Sequence, residues 1–297
     1  MLEKMLSVVI PTRNRALELE RCIKSIKNQT YDKYEIIIVD DNSSDETQKI
    51  IHKYKVRYIK HTKRLGQSIG KNDGAKVAKG EIVVFTDDDC IADPFWLENI
   101  VKAFHSDRDI AVVGGKILNL GKTNFNIHLL PIWPFIAGHI KKTGRIIIFG
   151  IVSSNFDSNN IQFVDWVSAG NMAIKKEAFN KVGGFDVNLI GNCIFEEPDI
   201  CSRINDLGYK IYYQPLSICF HKPSLSNRKI HREIRFYNKS NEMYFQIKRL
   251  NFKEPFNLIL FSVYHIWDFT IEIIGLLKSK YCIYDLKGKF DGLKRSF

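Results

Sequence analysis

The 297 residues are 45% hydrophobic and 26% charged, the proportions of an ordinary globular protein, with length enough for one large α/β domain or one domain plus an appendage. The net charge of +11 points to a polyanionic partner; residues 222–297 hold +8 of it, through 15 Lys/Arg against 7 Asp/Glu. With no nucleic-acid motif in the chain, anionic lipid or a phosphorylated substrate remains, and six scattered cysteines without a CxxC pair (Cys22, Cys90, Cys193, Cys201, Cys219, Cys282) exclude a disulfide framework or zinc site and suit a reducing compartment.

The first strand, at 6–10, lies too close to Met1 for a signal peptide to precede it, so a cytoplasmic protein is expected. The segment SVVIPTRNR (7–15) runs that strand straight into a helix at 15–28, spaced by Leu17, Cys22, Ile23 and Ile26. Backbone N–H groups at such a junction favour a phosphate or a polar heterocycle, a weak signal alone. A second strand at 34–39 ends in VDDNSSDET (39–47). Asp41 there can accept from a base imide or a ribose, while Ser44 and Asp45 also read as caps for a helix at 45–53. After a strand at 56–60, GQSIGKNDG (66–74) opens a helix at 68–78. Lys71 and Asn72 lie one turn in, able to reach a diphosphate or simply to face water.

The most informative stretch is EIVVFTDDDC (81–90), a short buried strand at 82–86 that delivers Asp87, Asp88 and Asp89 to its carboxyl end. In open α/β sheets that end is where ligands bind. Carboxylates packed this closely need a cation or full solvation, and a Mg²⁺-type ion held by one or two of them plus substrate phosphates is one solution. A helix at 94–104 and a strand at 111–113 continue the alternation, which implies βαβ units and a mostly parallel sheet. From 119 to 163 the pattern is poor and rich in Pro and aromatics, including Pro131, Trp133 and Pro134, as in a long binding loop. Regularity returns at 165–174, followed by a helix at 176–182, a Gly183-Gly184 turn, a helix at 194–207 that starts in acid, and a strand at 210–214.

The last seventy residues differ. A basic, aromatic helix is expected at 227–249, then a long apolar run at 256–277. That run has the length to cross a bilayer, yet Asp268 and Glu272 near its middle would be costly in hydrocarbon. They lie four apart on one helical face, opposite Leu258, Ile259, Phe261, Ile266, Phe269 and Ile273. An amphipathic helix lying on an anionic membrane surface is expected, with a spanning helix and a soluble core helix as alternatives.

SVVIPTRNR, VDDNSSDET, GQSIGKNDGAKVAKG (66–80) and EIVVFTDDDC, followed by VDWVSAGNMAI (164–174), VGGFD (182–186) and FEEPDICSRI (195–204), resemble family 2 glycosyltransferases in order and spacing over residues 5–250. No single motif decides; the set in register is specific. The resemblance implies an α/β GT-A fold, a mostly parallel doubly wound sheet with helices on both faces and a C-terminal helical tail. It also implies a nucleoside-diphosphate sugar donor and a divalent metal, Mn²⁺ or Mg²⁺. The expected division is a catalytic domain over 1–245, with a nucleotide-sugar half (1–115) and an acceptor half (116–245), and a membrane-associated tail over 246–297.

The same resemblance assigns residues. Asp41 matches the reader of the nucleobase, with Thr12 and Asn14 lining its pocket. Pro11, Arg15, Lys71, Asn72, Asp87 and Asp88 complete the donor set. Asp87 and Asp89 match the ends of the DXD motif that faces the metal, joined by His221, which reads equally as a packed histidine. Gly170 and Asn171 match the acceptor-side turn, with Trp166 as a sugar platform. Glu196 and Glu197 fall where the family carries Glu-Asp, so that Glu197 would be the base that deprotonates the acceptor and Glu196 its rival. An inverting transferase is implied, peripheral on the inner face of the cell membrane, with a lipid-linked or surface-saccharide acceptor. A nucleotidyltransferase is disfavoured because the first strand lacks a Gly-rich, basic triphosphate loop. A non-catalytic binding protein is disfavoured by the intact acids.

Overall fold

The computed structural model describes residues 4–120, 158–191, 193–222, 231–249, 255–276 and 282–296. The expected long excursion, Trp133 included, lies mostly outside them. The elements in chain order are β1 (Leu6–Thr12), α1 (Ala16–Lys27), β2 (Tyr34–Asp40), α2 (Thr47–Tyr54), β3 (Arg57–Lys60), α3 (Gln67–Val77), β4 (Ile82–Phe85), β5 (Cys90–Ala92) and α4 (Trp96–Ser106). Then come β6 (Ile110–Asn119), β7 (Gln162–Phe163), β8 (Met172–Lys175), α5 (Lys176–Lys181), α6 (Glu196–Asp206), β9 (Lys210–His221), α7 (His231–Arg249), α8 (Pro255–Leu276) and α9 (Cys282–Arg295). The strands form one sheet ordered β3-β2-β1-β4-β8-β6-β9-β5, with β7 paired to β9. Six strands share a direction; β5, β7 and β8 oppose it.

The central strands read as unbroken apolar runs because both their faces are covered. Every residue of β1 and β4 is buried. Alternation along β1 splits the core in two: Leu6, Val8 and Ile10 pack with α1 and α4 on one face, and Val9 packs with Val83, Phe85, Ile200 and Ile204 on the other. This is the α/β sheet with helices on both faces that the alternation implies. Three features depart from the sequence reading. The stretch at 165–174 is a 3₁₀ turn (Ala169–Asn171) leading into β8, which runs antiparallel between β4 and β6. The strand expected at 210–214 runs on to His221 as one strand, β9, with a register shift against β6. α9 falls within the helical tail expected over 246–297, with no helix of its own expected there.

Residue 245, where the sequence reading divides the chain, falls inside α7. α7 packs closely on α9 because Gly288 and Gly292 present no side chain: a Cβ at either would collide with the Phe236 or Ser240 carbonyl oxygen. α8 turns its charge inward. Asp268 reaches Lys239 of α7 at 3.2 Å and Lys289 of α9 at 2.7 Å, while Ile259, Val263, Ile266, Trp267 and Ile273 stand exposed. Among the described residues no helix is long and apolar enough to cross a membrane.

Gly74 lets α3 rest on β1 and β2, since a Cβ there would strike Val9 Cγ1 with Val39 Cγ2 at 3.2 Å behind it. Gly74→Val is expected to cost about 3 kcal/mol by overpacking a rigid core, read as a lowered urea midpoint with unchanged m. An unaltered midpoint would contradict this packing.

Candidate active site

The carboxyl ends of β1, β2 and β4 open on a cleft of about 590 Å³, lined by Thr12, Arg15, Asp41 and the three carboxylates that follow β4. Those carboxylates are held in three different ways. Asp87, half-buried, accepts from Gln67 Nε2 at 2.8 Å. Asp88 is buried and accepts from Thr12 Oγ1 at 2.8 Å and Arg15 Nη1 at 2.8 Å. Burial outweighs Arg15 and lifts the Asp88 carboxyl to about 7. Asp89 takes Arg15 Nη1 at 2.9 Å and faces His221 Nε2 at 3.3 Å. Burial alone would raise Asp89, but His221 and Arg15 prevail and hold it below its ordinary value. Asp89 in turn raises His221, against burial.

Asp87, Asp89 and Cys90 place ligand atoms within 4.8 Å of one another. Burial pushes the Cys90 thiol well above its usual range, so it stays neutral and offers a hard cation little. The two carboxylates suit Mg²⁺ or Mn²⁺. Asp89 Oδ1 is the fitting observation: it is buried, and among the described residues no donor reaches it in hydrogen-bond geometry, His221 approaching at ion-pair range. His221 Nδ1 sits 3.0 Å from Asn119 Oδ1, an arrangement that leaves Nε2 directed at the acids.

Asp41 lies on the opposite wall. Its carboxylate accepts the Leu65 and Gly66 amides at 2.6 and 3.0 Å and meets His61 Nδ1 at 3.0 Å. It therefore fixes the loop that precedes α3. Burial opposes its ionisation, and His61 with the two amides holds it below its ordinary value nevertheless.

The acidic pair at the start of α6 is sharply divided. Glu196 is buried, with Lys71 Nζ on one oxygen and Ser68 Oγ at 2.6 Å on the other. Glu197, partly exposed, receives the Ala169 amide at 3.3 Å and its own backbone amide. Burial first, then Glu196, raise its carboxyl to about 7, with Lys71 pulling the other way.

The model of the family described as Glycosyl transferase family 2 matches residues 7–182. This chain belongs to glycosyl transferase family 2. It is 42% identical over 90 residues to the GalNAc(5)-diNAcBac-PP-undecaprenol beta-1,3-glucosyltransferase of Campylobacter jejuni, covering 28% of this chain and 29% of that one. It is 32% identical over 196 residues to the dolichol-phosphate mannosyltransferase of Pyrococcus furiosus, covering 64% and 51%. The matches thus span about half or less of the length of these relatives. In fold it is similar to a mannosyltransferase from Pyrobaculum calidifontis solved with GDP-Man and Mn²⁺, with a TM-score of 0.61 and 17% identity over 100% of this chain and 89% of that one. The fold is GT-A.

Several residues that the family pattern singles out are engaged elsewhere in this family member. Lys71 is fully buried in its ion pair and cannot reach a diphosphate. Asn72 spends its amide on the Phe185 backbone, at 2.8 Å in both directions. Asn14 lies outside the cleft lining and accepts from the Ser44 amide at 2.8 Å. Asp45 accepts the Thr47 amide at 3.1 Å, capping α2 as expected, and also takes the Ala16 amide at 3.0 Å, the first of α1. Trp166 is packed in the core with 8% of its surface exposed, not presented as a sugar platform. Asn171 is consumed by Trp96 Nε1 and by the Lys116 and Ser217 carbonyls, bracing β6 against β9. Gly170 does lie at the site, where a Cβ would sit 3.4 Å from Asp87 Oδ2, and Pro11 lines the cleft beside Thr12. The sequence reading missed Gln67, Arg13, Arg64 and Glu233, which also line it. Gln67 was within reach, being next to Gly66 in a motif already singled out; Glu233 stands on α7, far along the chain.

Asp41→Ala would leave the Leu65 and Gly66 amides without their acceptor. Hydrogen exchange at those two positions is expected to quicken about 10–100-fold, with the sheet amides unaffected. Unchanged protection would mean that the loop is held by something else.

Proposed function

We propose that this family 2 member transfers a sugar from a nucleoside-diphosphate donor to a hydroxyl of a lipid-linked or surface-saccharide acceptor, inverting the anomeric centre, with Glu197 as the base. One observation carries the reading: of two adjacent acids, Glu196 is neutralised by Lys71 and Ser68, while Glu197 is left nearly free with its carboxyl raised to about 7. A base poised near neutrality can take a proton from a hydroxyl and still be ionised in half the molecules.

The donor belongs in the cleft between Asp41 and the carboxylates. Pro11, Thr12 and Asp41 face the base and ribose, and Asp87 and Asp89, backed by His221, would hold Mg²⁺ or Mn²⁺. When bound, such a cation offsets the charge that gathers on the departing diphosphate. Arg15 meanwhile keeps Asp88 and Asp89 apart in position, and Thr12 orients Asp88. The Gly170 turn lies between Asp87 and the Ala169 amide that meets Glu197, so an acceptor hydroxyl seated there would approach the donor from the side of the base. The Campylobacter and Pyrococcus relatives, by their names, use undecaprenol- and dolichol-linked substrates, which supports a lipid-linked acceptor.

The tail fits such an acceptor. α8 presents its apolar face outward, and α9 continues it with Ile283, Phe290 and Leu293 exposed beside Lys287 and Lys294. The Phe269 and Phe290 rings lie 6.0 Å apart, so the two faces adjoin. Apolar side chains ringed by lysine suit the interface of an anionic leaflet, which here would be the inner face of the cell membrane.

With UDP-, GDP- and dTDP-sugars and Mn²⁺, slow donor hydrolysis by the wild type should rise with pH through about 7 as Glu197 loses its proton. Glu197→Gln should lower the rate about 10²–10⁴-fold with donor affinity kept. Asp89→Ala should abolish metal-dependent nucleotide binding. Normal activity in Glu197→Gln with loss in Glu196→Gln would transfer the role to Glu196.

Full-length protein should co-sediment with vesicles containing anionic lipid at low salt and be released at high salt. Trp267→Glu with Ile266→Glu should abolish binding while donor hydrolysis persists. Wild type remaining in the supernatant at low salt would remove the membrane from this reading.

A further inference from the structure

Lys71 and Ser68 stand three residues apart on α3 and so share a helical face. Both reach across to Glu196, and between them they occupy both of its oxygens. The Lys71 side chain is 0% exposed and lies over the Phe185 ring at 5.2 Å. An ammonium placed there has no solvent to return to, and breaking such a pair from one side leaves an uncompensated buried charge. The backbone entering α6 is also constrained. Phe195 adopts the left-handed conformation at φ 77°, unusual for a residue with a Cβ, and its ring stacks on Phe245 of α7 at 5.2 Å. α6 is thus pinned at its first turn from α3 on one side and α7 on the other. Rotation of that turn by one residue would exchange the two acids.

We propose that Lys71 is a positioning residue for the transfer reaction: by clamping Glu196 it decides which of the two adjacent acids faces the site and leaves Glu197 as the one free to take a proton. This rests on the reading of Glu197 as the base. The role differs from the diphosphate contact expected of a lysine at this place in the sequence; the charge works through a carboxylate and never meets the donor.

Among the described residues, the ionisable groups that act on Glu197 or on its clamp are Glu196 beside it, Cys201 one turn further along α6, and Lys71 from α3, with Asp87 acting on Lys71 from the end of β4. Glu196 raises Glu197 and Lys71 lowers it. Removing either partner of the clamp therefore moves Glu197 in opposite directions, which damage to the fold would not do.

The test uses full-length protein with ¹³C-labelled glutamate carboxyls, the Glu197 signal being the one lost in Glu197→Gln. Lys71→Met should raise the Glu197 midpoint by about one pH unit or more, and Glu196→Gln should lower it by about as much. The double variant should return near wild type, and Lys71→Arg should stay there. Midpoints that do not move, or that move the same way in both single variants, overturn the proposal. Should Lys71→Met fail to fold, Glu196→Gln and the double variant decide alone: a fall in the first that is reversed in the second supports the clamp, and its absence overturns it. The acid limb of hydrolysis, measured with whichever UDP-, GDP- or dTDP-sugar the wild type cleaves fastest, should follow the same shifts. Titration shifts without a matching move of that limb would confirm the clamp and refute the base.

Discussion

Repulsion between carboxylates governs this site. Asp87, Asp88, Asp89, Glu196 and Glu197 gather at one edge of a sheet whose strands are apolar and buried, where charge is poorly solvated. Two interior cations make the gathering tolerable. Arg15 spans Asp88 and Asp89 with one guanidinium nitrogen, and Lys71 neutralises Glu196. Burial still raises the Asp88 and Glu197 carboxyls to about 7, with Asp89 and Glu196 respectively adding to the rise. These two differ in what surrounds them. Asp88 is enclosed by Thr12 and Arg15, whereas Glu197, among the described residues, meets backbone amides and no side-chain cation at hydrogen-bond range. The first is held by side chains on both oxygens and the second is not.

The fold was legible because its signals are local and redundant. Apolar runs such as IVVF before the aspartates, and the 3.6-residue spacing of Leu19, Cys22, Ile23 and Ile26, each determine an element without help from distant chain. β8 was harder. Its four residues follow a 3₁₀ turn, and nothing local says that they will pair with β4 in the opposite sense. α9 was missed because its buried side is built from Asp285, Gly288, Lys289 and Gly292, which no apolar periodicity can register.

The site was legible in outline and misread in detail, for one physical reason. Sequence shows which residues carry charge or amide groups but not which partner consumes them. Lys71, Asn72 and Asn171 have the chemistry of ligand-binding groups, and each is spent within the protein. Asp41 was expected to recognise a ligand, and it also holds the loop at Leu65 and Gly66, a second task visible only once the loop is folded over it.

The antiparallel placement of β8 has a consequence for how the site comes into being. Because β8 begins where β4 ends, the Gly170 turn and Asp87 are neighbours across a ladder that joins Phe85 to Met172 and Ile82 to Lys175. Those partners are about ninety residues apart in the chain, so this pairing closes a large loop and is slow to form compared with the local βαβ units before it. The carboxylates can therefore be in place on a nascent sheet well before the Ala169 amide and Glu197 arrive opposite them. A nascent chain in that interval can form the aspartate-lined wall of the cleft while the Ala169 amide and Glu197 are still missing opposite it, and β9, which joins His221 to Cys90 over a still larger separation, completes the cleft.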